Sequence, residues 1–96
     1  MITMKNVHFY MDMYNATVDE IFKLTSMYMP RIKVVSSCGM RNIEVANSHE
    51  VIRSGMTTRE CYEAIYSMYQ IANIIRREAE DRCEMRRYAE PDKTYC

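Results

Sequence analysis

The chain has no tryptophan, two glycines, two prolines and no net charge, its 13 Lys and Arg being matched by 13 Asp and Glu. Each shortage excludes something. So little glycine and proline argues against a low-complexity or disordered chain, and the neutral balance supplies no overall field to draw in nucleic acid or an anionic membrane. No stretch reaches the roughly 18 apolar residues of a membrane span. The opening MITMKNVHFYMDMY also lacks the basic start and small-residue cleavage site of a secretory leader. These absences predict a cytoplasmic protein with no membrane contact and make nucleic acid an improbable partner.

Signatures of chemistry are equally scarce. Cys38, Cys61, Cys83 and Cys96 lie 23, 22 and 13 residues apart, with no Cys-x-x-Cys pair and no His-x-x-x-His to complete a zinc set. Free thiols are therefore expected, with Cys61 in a core and Cys96 exposed. Gly39 and Gly55 stand alone, so no glycine-rich loop exists to cradle a phosphate, and neither Gly-x-Ser-x-Gly nor His-Glu-x-x-His occurs. His8 and His49 are the only histidines. His8 falls beside an alternating run as a surface residue, and His49 next to Glu50 reads as a loop residue. The expectation is a protein without catalysis, cofactor or metal.

What is present begins with size. Ninety-six residues make one domain, assigned to 1–90 with a tail at 91–96 after Pro91. A chain this short buries only about 60 to 65% of its unfolded surface, so self-association would strengthen it. Ten Met and eight Tyr fit an AT-rich genome, and with it a viral or mobile-element source. The same residues suit an adaptable contact surface, since Met fills irregular gaps and Tyr offers a large face with few torsions to freeze.

The clearest element starts at Thr57-Thr58-Arg59-Glu60, whose Ser/Thr-x-x-Glu spacing lets a hydroxyl and a carboxylate satisfy each other's backbone donors. No Gly or Pro follows until Pro91, and Cys61, Ala64, Ile65, Met68, Ile71, Ala72, Ile75 and Ala79 recur at steps of three and four. This predicts a helix over 57–90. Its second half is charged, with attractive i,i+4 pairs at Arg76/Glu80, Arg77/Asp81 and Glu78/Arg82. A second Thr-x-x-Glu at Thr17-Val18-Asp19-Glu20 predicts a shorter helix over 17–29, stopped by Pro30.

Val7, Phe9, Met11 and Met13 alternate with His8, Tyr10, Asp12 and Tyr14, the period of a half-buried strand, although the same residues also make a short helix. Arg31–Val35 and Asn42–Val45 are β-prone runs separated by Ser36-Ser37-Cys38-Gly39, a plausible hairpin connection. Residues 49–54 read as a third strand or one helical turn. The predicted fold is α+β and helix-dominated: one long C-terminal helix and a shorter helix packed on a small antiparallel sheet over 31–46, joined by residues 6–13 if these are extended. An all-α bundle is the alternative.

Three features bear on function. Residues 30–59 hold Arg31, Lys33, Arg41, Arg53 and Arg59 against Glu44 and Glu50, whereas residues 60–90 hold five arginines against seven acids. The middle, with Arg31 and Lys33, could assemble an anion site, or its charges could simply guard strand edges. On the long helix Tyr62, Tyr66, Tyr69, Asn73 and then Arg76 or Arg77 flank the apolar stripe. Such a line borders a protein interface, where Tyr and Arg are enriched, or stacks a nucleobase and pairs its phosphate. Finally Cys61, Ile65, Met68, Ala72, Ile75 and Ala79 advance by 4, 3, 4, 3 and 4, the step of a coiled-coil seam, which predicts a homo-oligomer through the long helix.

The favoured function is a small binding protein that docks on a host macromolecule, a host protein above all, and inhibits or redirects it. The alternative is an oligomeric sponge that sequesters a small anionic ligand of nucleotide type.

Overall fold

The computed structural model describes the backbone of residues 1–89 and the side chains of residues 1–84. The order is α1 (Met4–Thr25), β1 (Ile32–Ser37), β2 (Met40–Val45), β3 (Val51–Met56) and α2 (Thr58–Ala89). This is the helix-dominated α+β fold that the pattern predicts. The tail expected at 91–96 lies outside the described residues.

α1 corrects two expectations. Residues 6–13 are helical, and they belong to the same helix as 17–25. Nothing between Met4 and Thr25 breaks a helix, so the alternation at Val7–Tyr14 yields to the 3.6-residue period. Val7 and Met11 turn inward while Phe9 and Met13 are exposed. The helix starts at Thr3, whose N–H donates to Asn6 Oδ1 at 2.9 Å. Thr17 therefore caps nothing; its hydroxyl donates to the Met13 carbonyl at 2.7 Å, one turn back in the helix interior. The helix also ends before Pro30. Ser26 enters the left-handed region (φ 60°) and donates its N–H to the Phe22 carbonyl at 2.8 Å.

The three strands form an antiparallel meander in the order β1-β2-β3. Val34 opposes Ile43, and Ile32 opposes Val45. Cys38 and Gly39 both have positive φ (51° and 76°), which makes the two-residue tip twist with its flanking strands. Residues 51–56 resolve the choice at 49–54 in favour of a strand. The register shifts along the β2–β3 pair, and Gly55 (φ 68°) donates its N–H to Asn42 Oδ1 at 3.0 Å.

α2 begins as expected. Thr57 N–H donates to Glu60 Oε1 at 3.0 Å and Glu60 N–H to Thr57 Oγ1 at 3.2 Å. The two helices run in the same direction: Tyr10 meets Tyr66, Glu20 meets Arg76, and Leu24 lies beside Cys83. Val7, Val18 and Ile21 of α1 join Ile32, Ile43 and Met56 of the sheet and Cys61, Ile65 and Ala72 of α2 in one core.

The expected coiled-coil seam is spent inside this core. Cys61, Ile65, Ala72 and Ala79 are buried, and Met68 and Ile75 pack against the same cluster. α1, which the sequence reading shortened, is the helix that the 4,3 spacing serves. The molecule is drawn out to 57 × 30 × 16 Å with a radius of gyration of 16.2 Å, well above the roughly 12 to 13 Å of a compact chain this long.

Cys38 and Cys61 are free thiols. Cys83 is disulfide-bonded, against the free-thiol expectation; spacing alone carries no pairing information. Cys96 falls outside the described residues.

Candidate functional site

The tyrosine flank of α2 does converge, but on a residue the sequence reading left out of the site. Tyr10 of α1 sits among all three rings, with centroids 5.6 Å from Tyr62, 4.9 Å from Tyr66 and 5.7 Å from Tyr69. Tyr62 and Tyr66 stack at 5.8 Å. The contacts to Tyr62 and Tyr66 are edge-to-face, the arrangement that aromatic quadrupoles favour. Burial pushes the Tyr10 phenol above its ordinary pKa, and the neighbouring phenols push it the same way. These rings hold α1 to α2.

One turn beyond them lies a polar clamp. Arg76 donates to Asn73 Oδ1 at 2.6 Å, to Glu80 Oε1 at 3.2 Å and across the helix pair to Glu20 Oε2 at 3.3 Å. Two carboxylates and an amide thus surround the guanidinium. Arg77 is exposed on another face, so the structure joins Asn73 to Arg76 and leaves Arg77 apart.

The basic middle is neutralised piece by piece. Arg31 lies 3.9 Å from Asp19, Lys33 3.7 Å from Glu44, Arg53 3.9 Å from Glu60 and Arg59 3.1 Å from Glu63. Lys33 also touches His49, and Arg41 Nε donates to Met4 Sδ at 3.2 Å. Arg31 and Lys33 thus face different carboxylates, Asp19 of α1 and Glu44 of β2. His8 and His49 are both exposed. No group of three metal-ligating side chains occurs among the described residues, and no helix among them is long and apolar enough to cross a membrane.

The surface that stands out is a groove of about 450 Å³ beside the last turns of α1. It forms because α1 stops at Thr25 and the 26–31 connection folds back alongside it. Val18, Phe22, Tyr28 and Met29 give it an apolar lining, and Asp19, Lys23 and Arg31 add charge. Phe22 is 52% and Tyr28 65% exposed. Of the predicted site residues only Arg31 belongs to it. Phe22 and Tyr28 stay open because no element among the described residues covers this side of α1 and its connection.

No known protein family, curated protein or solved structure matches the chain.

Proposed function

We propose that this chain is a non-enzymatic binding protein, encoded by a virus or mobile element, which docks on a host protein and inhibits or redirects it. The groove carries this reading. Two large aromatic side chains stand in the open beside an ion pair, and anchor residues of protein interfaces combine apolar area with a polar rim in the same way. Its occupant would be a polypeptide segment that inserts an apolar side chain between Phe22 and Tyr28 and meets Asp19 or Arg31 at the edge.

The nucleotide-sponge reading has less support. Tyr62, Tyr66 and Tyr69 would have to leave Tyr10 to stack on a base, and Arg76 would have to leave Glu20 and Glu80 to meet a phosphate. Self-association through the Cys61–Ala79 seam likewise has no free surface to use. Free Cys38 and Cys61 suit a cytoplasmic setting, while the bonded Cys83 counts the other way.

Two measurements test the reading. Capture from a host lysate should recover the same protein with the wild-type chain and with Tyr66→Phe, and lose it with Phe22→Glu or Tyr28→Glu. Thermal unfolding against cyclic and linear nucleotides should stay flat, since a ligand at 100 times its dissociation constant would add about 2.7 kcal/mol. A nucleotide-dependent shift abolished by Tyr62→Ala would overturn the proposal in favour of the sponge.

A further inference from the structure

The groove at the end of α1 is unevenly charged. Asp19, Lys23 and Arg31 line it, one acid against two bases. Asp19 is the one carboxylate among the described residues of the lining, and it meets Arg31 only at 3.9 Å, with both side chains roughly half exposed. The pair is loose. The Lys23 ammonium makes neither an ion pair nor a hydrogen bond among the described residues, so it caps no carbonyl at the end of its own helix. The apolar floor of Val18, Phe22, Tyr28 and Met29 therefore has an uncompensated cation on its rim. Beside it is a guanidinium that an incoming carboxylate can draw away from Asp19.

Hydrogen-bonding groups without partners line the same groove. Neither Tyr28 nor Met29 uses its main-chain N–H or carbonyl in a hydrogen bond among the described residues, and the Asn47 side-chain amide is likewise unpaired. Whatever covers these groups must replace the water they hold. A purely apolar molecule leaves them bare, at a cost in free energy, whereas an extended polypeptide carries a matching donor and acceptor in each peptide unit. A helix spends its main chain on itself and offers them little.

Taking this groove as the docking site, as proposed above, we infer that it selects an extended acidic segment of the partner protein. A large apolar side chain of that segment enters between Phe22 and Tyr28. A neighbouring aspartate or glutamate meets Lys23 and competes with Asp19 for Arg31, and the main chain pairs with Tyr28, Met29 and the Asn47 amide.

The test selects binders to the full chain from a displayed library of random peptides. Enriched sequences should set a large apolar residue beside an aspartate or glutamate, and should be lost on Phe22→Ser. The leading sequence is then made as a fluorescein-labelled peptide and its binding read by anisotropy. Lys23→Glu should weaken it by about fivefold or more, the scale of turning a partly desolvated attraction into a repulsion. Asp19→Asn should tighten it by about twofold or more, because Arg31 is released to the peptide. A purely structural ion pair would not give that gain. Arg59→Ala, which removes a cation outside the groove, should leave binding unchanged.

Enriched sequences that need Phe22 but carry no acid, or carry lysine or arginine in its place, would overturn the acidic selection and leave the groove reading standing. So would binding indifferent to both Lys23→Glu and Asp19→Asn. A selection in which no sequence depends on Phe22 or Tyr28 would remove the groove reading as well. A wild-type dimer, seen by sedimentation, that Phe22→Ser dissolves would give the groove to a second copy. Helical circular dichroism on each variant establishes that the chain remains folded.

Discussion

Asn15 satisfies both main-chain groups of Ile32: its Nδ2 donates to the Ile32 carbonyl at 3.0 Å and its Oδ1 accepts the Ile32 N–H at 2.9 Å. A buried side chain on α1 thereby does for the free edge of β1 what another strand would do, and ties the first helix to the sheet. Asn15→Ala should leave a buried donor and acceptor unpaired and cost about 1 to 3 kcal/mol, read from urea unfolding. Asn15→Asp should not recover the loss, because it sets a second acceptor against the Ile32 carbonyl. A variant as stable as the wild type would show that water replaces the amide freely.

The two faces of α2 should respond differently to the same deletion. Ile65 is fully buried and Ile71 largely exposed. Ile65→Ala should cost about 2 to 5 kcal/mol, and Ile71→Ala should fall within about 0.5 kcal/mol of wild type. Equal losses would mean that the helix is rotated from the orientation described here.

The tyrosine cluster predicts an alkaline limb. Burial raises the Tyr10 and Tyr14 phenols above their ordinary value of 10.0. A group whose pKa is higher folded than unfolded contributes stability that is present below the unfolded pKa and is lost as pH rises through the folded one. Unfolding monitored above pH 10 should therefore steepen with pH. Tyr10→Phe and Tyr14→Phe should each flatten it, and phenolate absorbance should show at least two late-titrating tyrosines in the wild type.

An acid limb should appear at the start of α2. Hydrogen bonds from Thr57, backbone first and side chain second, hold the Glu60 carboxyl below its ordinary value of 4.5, with Arg53 adding to the effect. A depressed pKa contributes stability above the unfolded value and loses it as pH falls through the folded one. Thr57→Ala should cost about 0.5 to 2 kcal/mol at neutral pH. The difference between it and the wild type should shrink below pH 4.5 as Glu60 protonates in both. A difference that stays constant with pH would detach the carboxylate from the cap.

The parts legible in the sequence were those set by local chemistry. Thr57 and Glu60 mark a helix start because the reciprocal bonds need only four consecutive residues. Ser36-Ser37-Cys38-Gly39 marks a hairpin connection between two β-prone runs, which the structure tightens to a tip at Cys38 and Gly39. The same logic misled at Thr17-Val18-Asp19-Glu20, where a cap needs free backbone donors and the upstream turn had already used them. Nor could spacing say what the stripe on α2 faces: Tyr10, Val18 and Ile21 take up the apolar and aromatic surface that a partner chain was expected to fill. Phe22 and Tyr28 escaped notice for the opposite reason, since exposure depends on where other elements stop.

An odd number of strands returns the chain to the end of α1 from which it started, so α2 sets out alongside α1 and both helices point the same way. Their peptide dipoles therefore add where those of an antiparallel hairpin would cancel, and each helix contributes about half a unit charge of opposite sign at its two ends. The sheet-bearing end of the molecule gathers two positive termini, and the far end gathers the carbonyls of α1 and then of α2. In a chain with no net charge, the two helix dipoles thus reinforce one another along the long axis of the molecule.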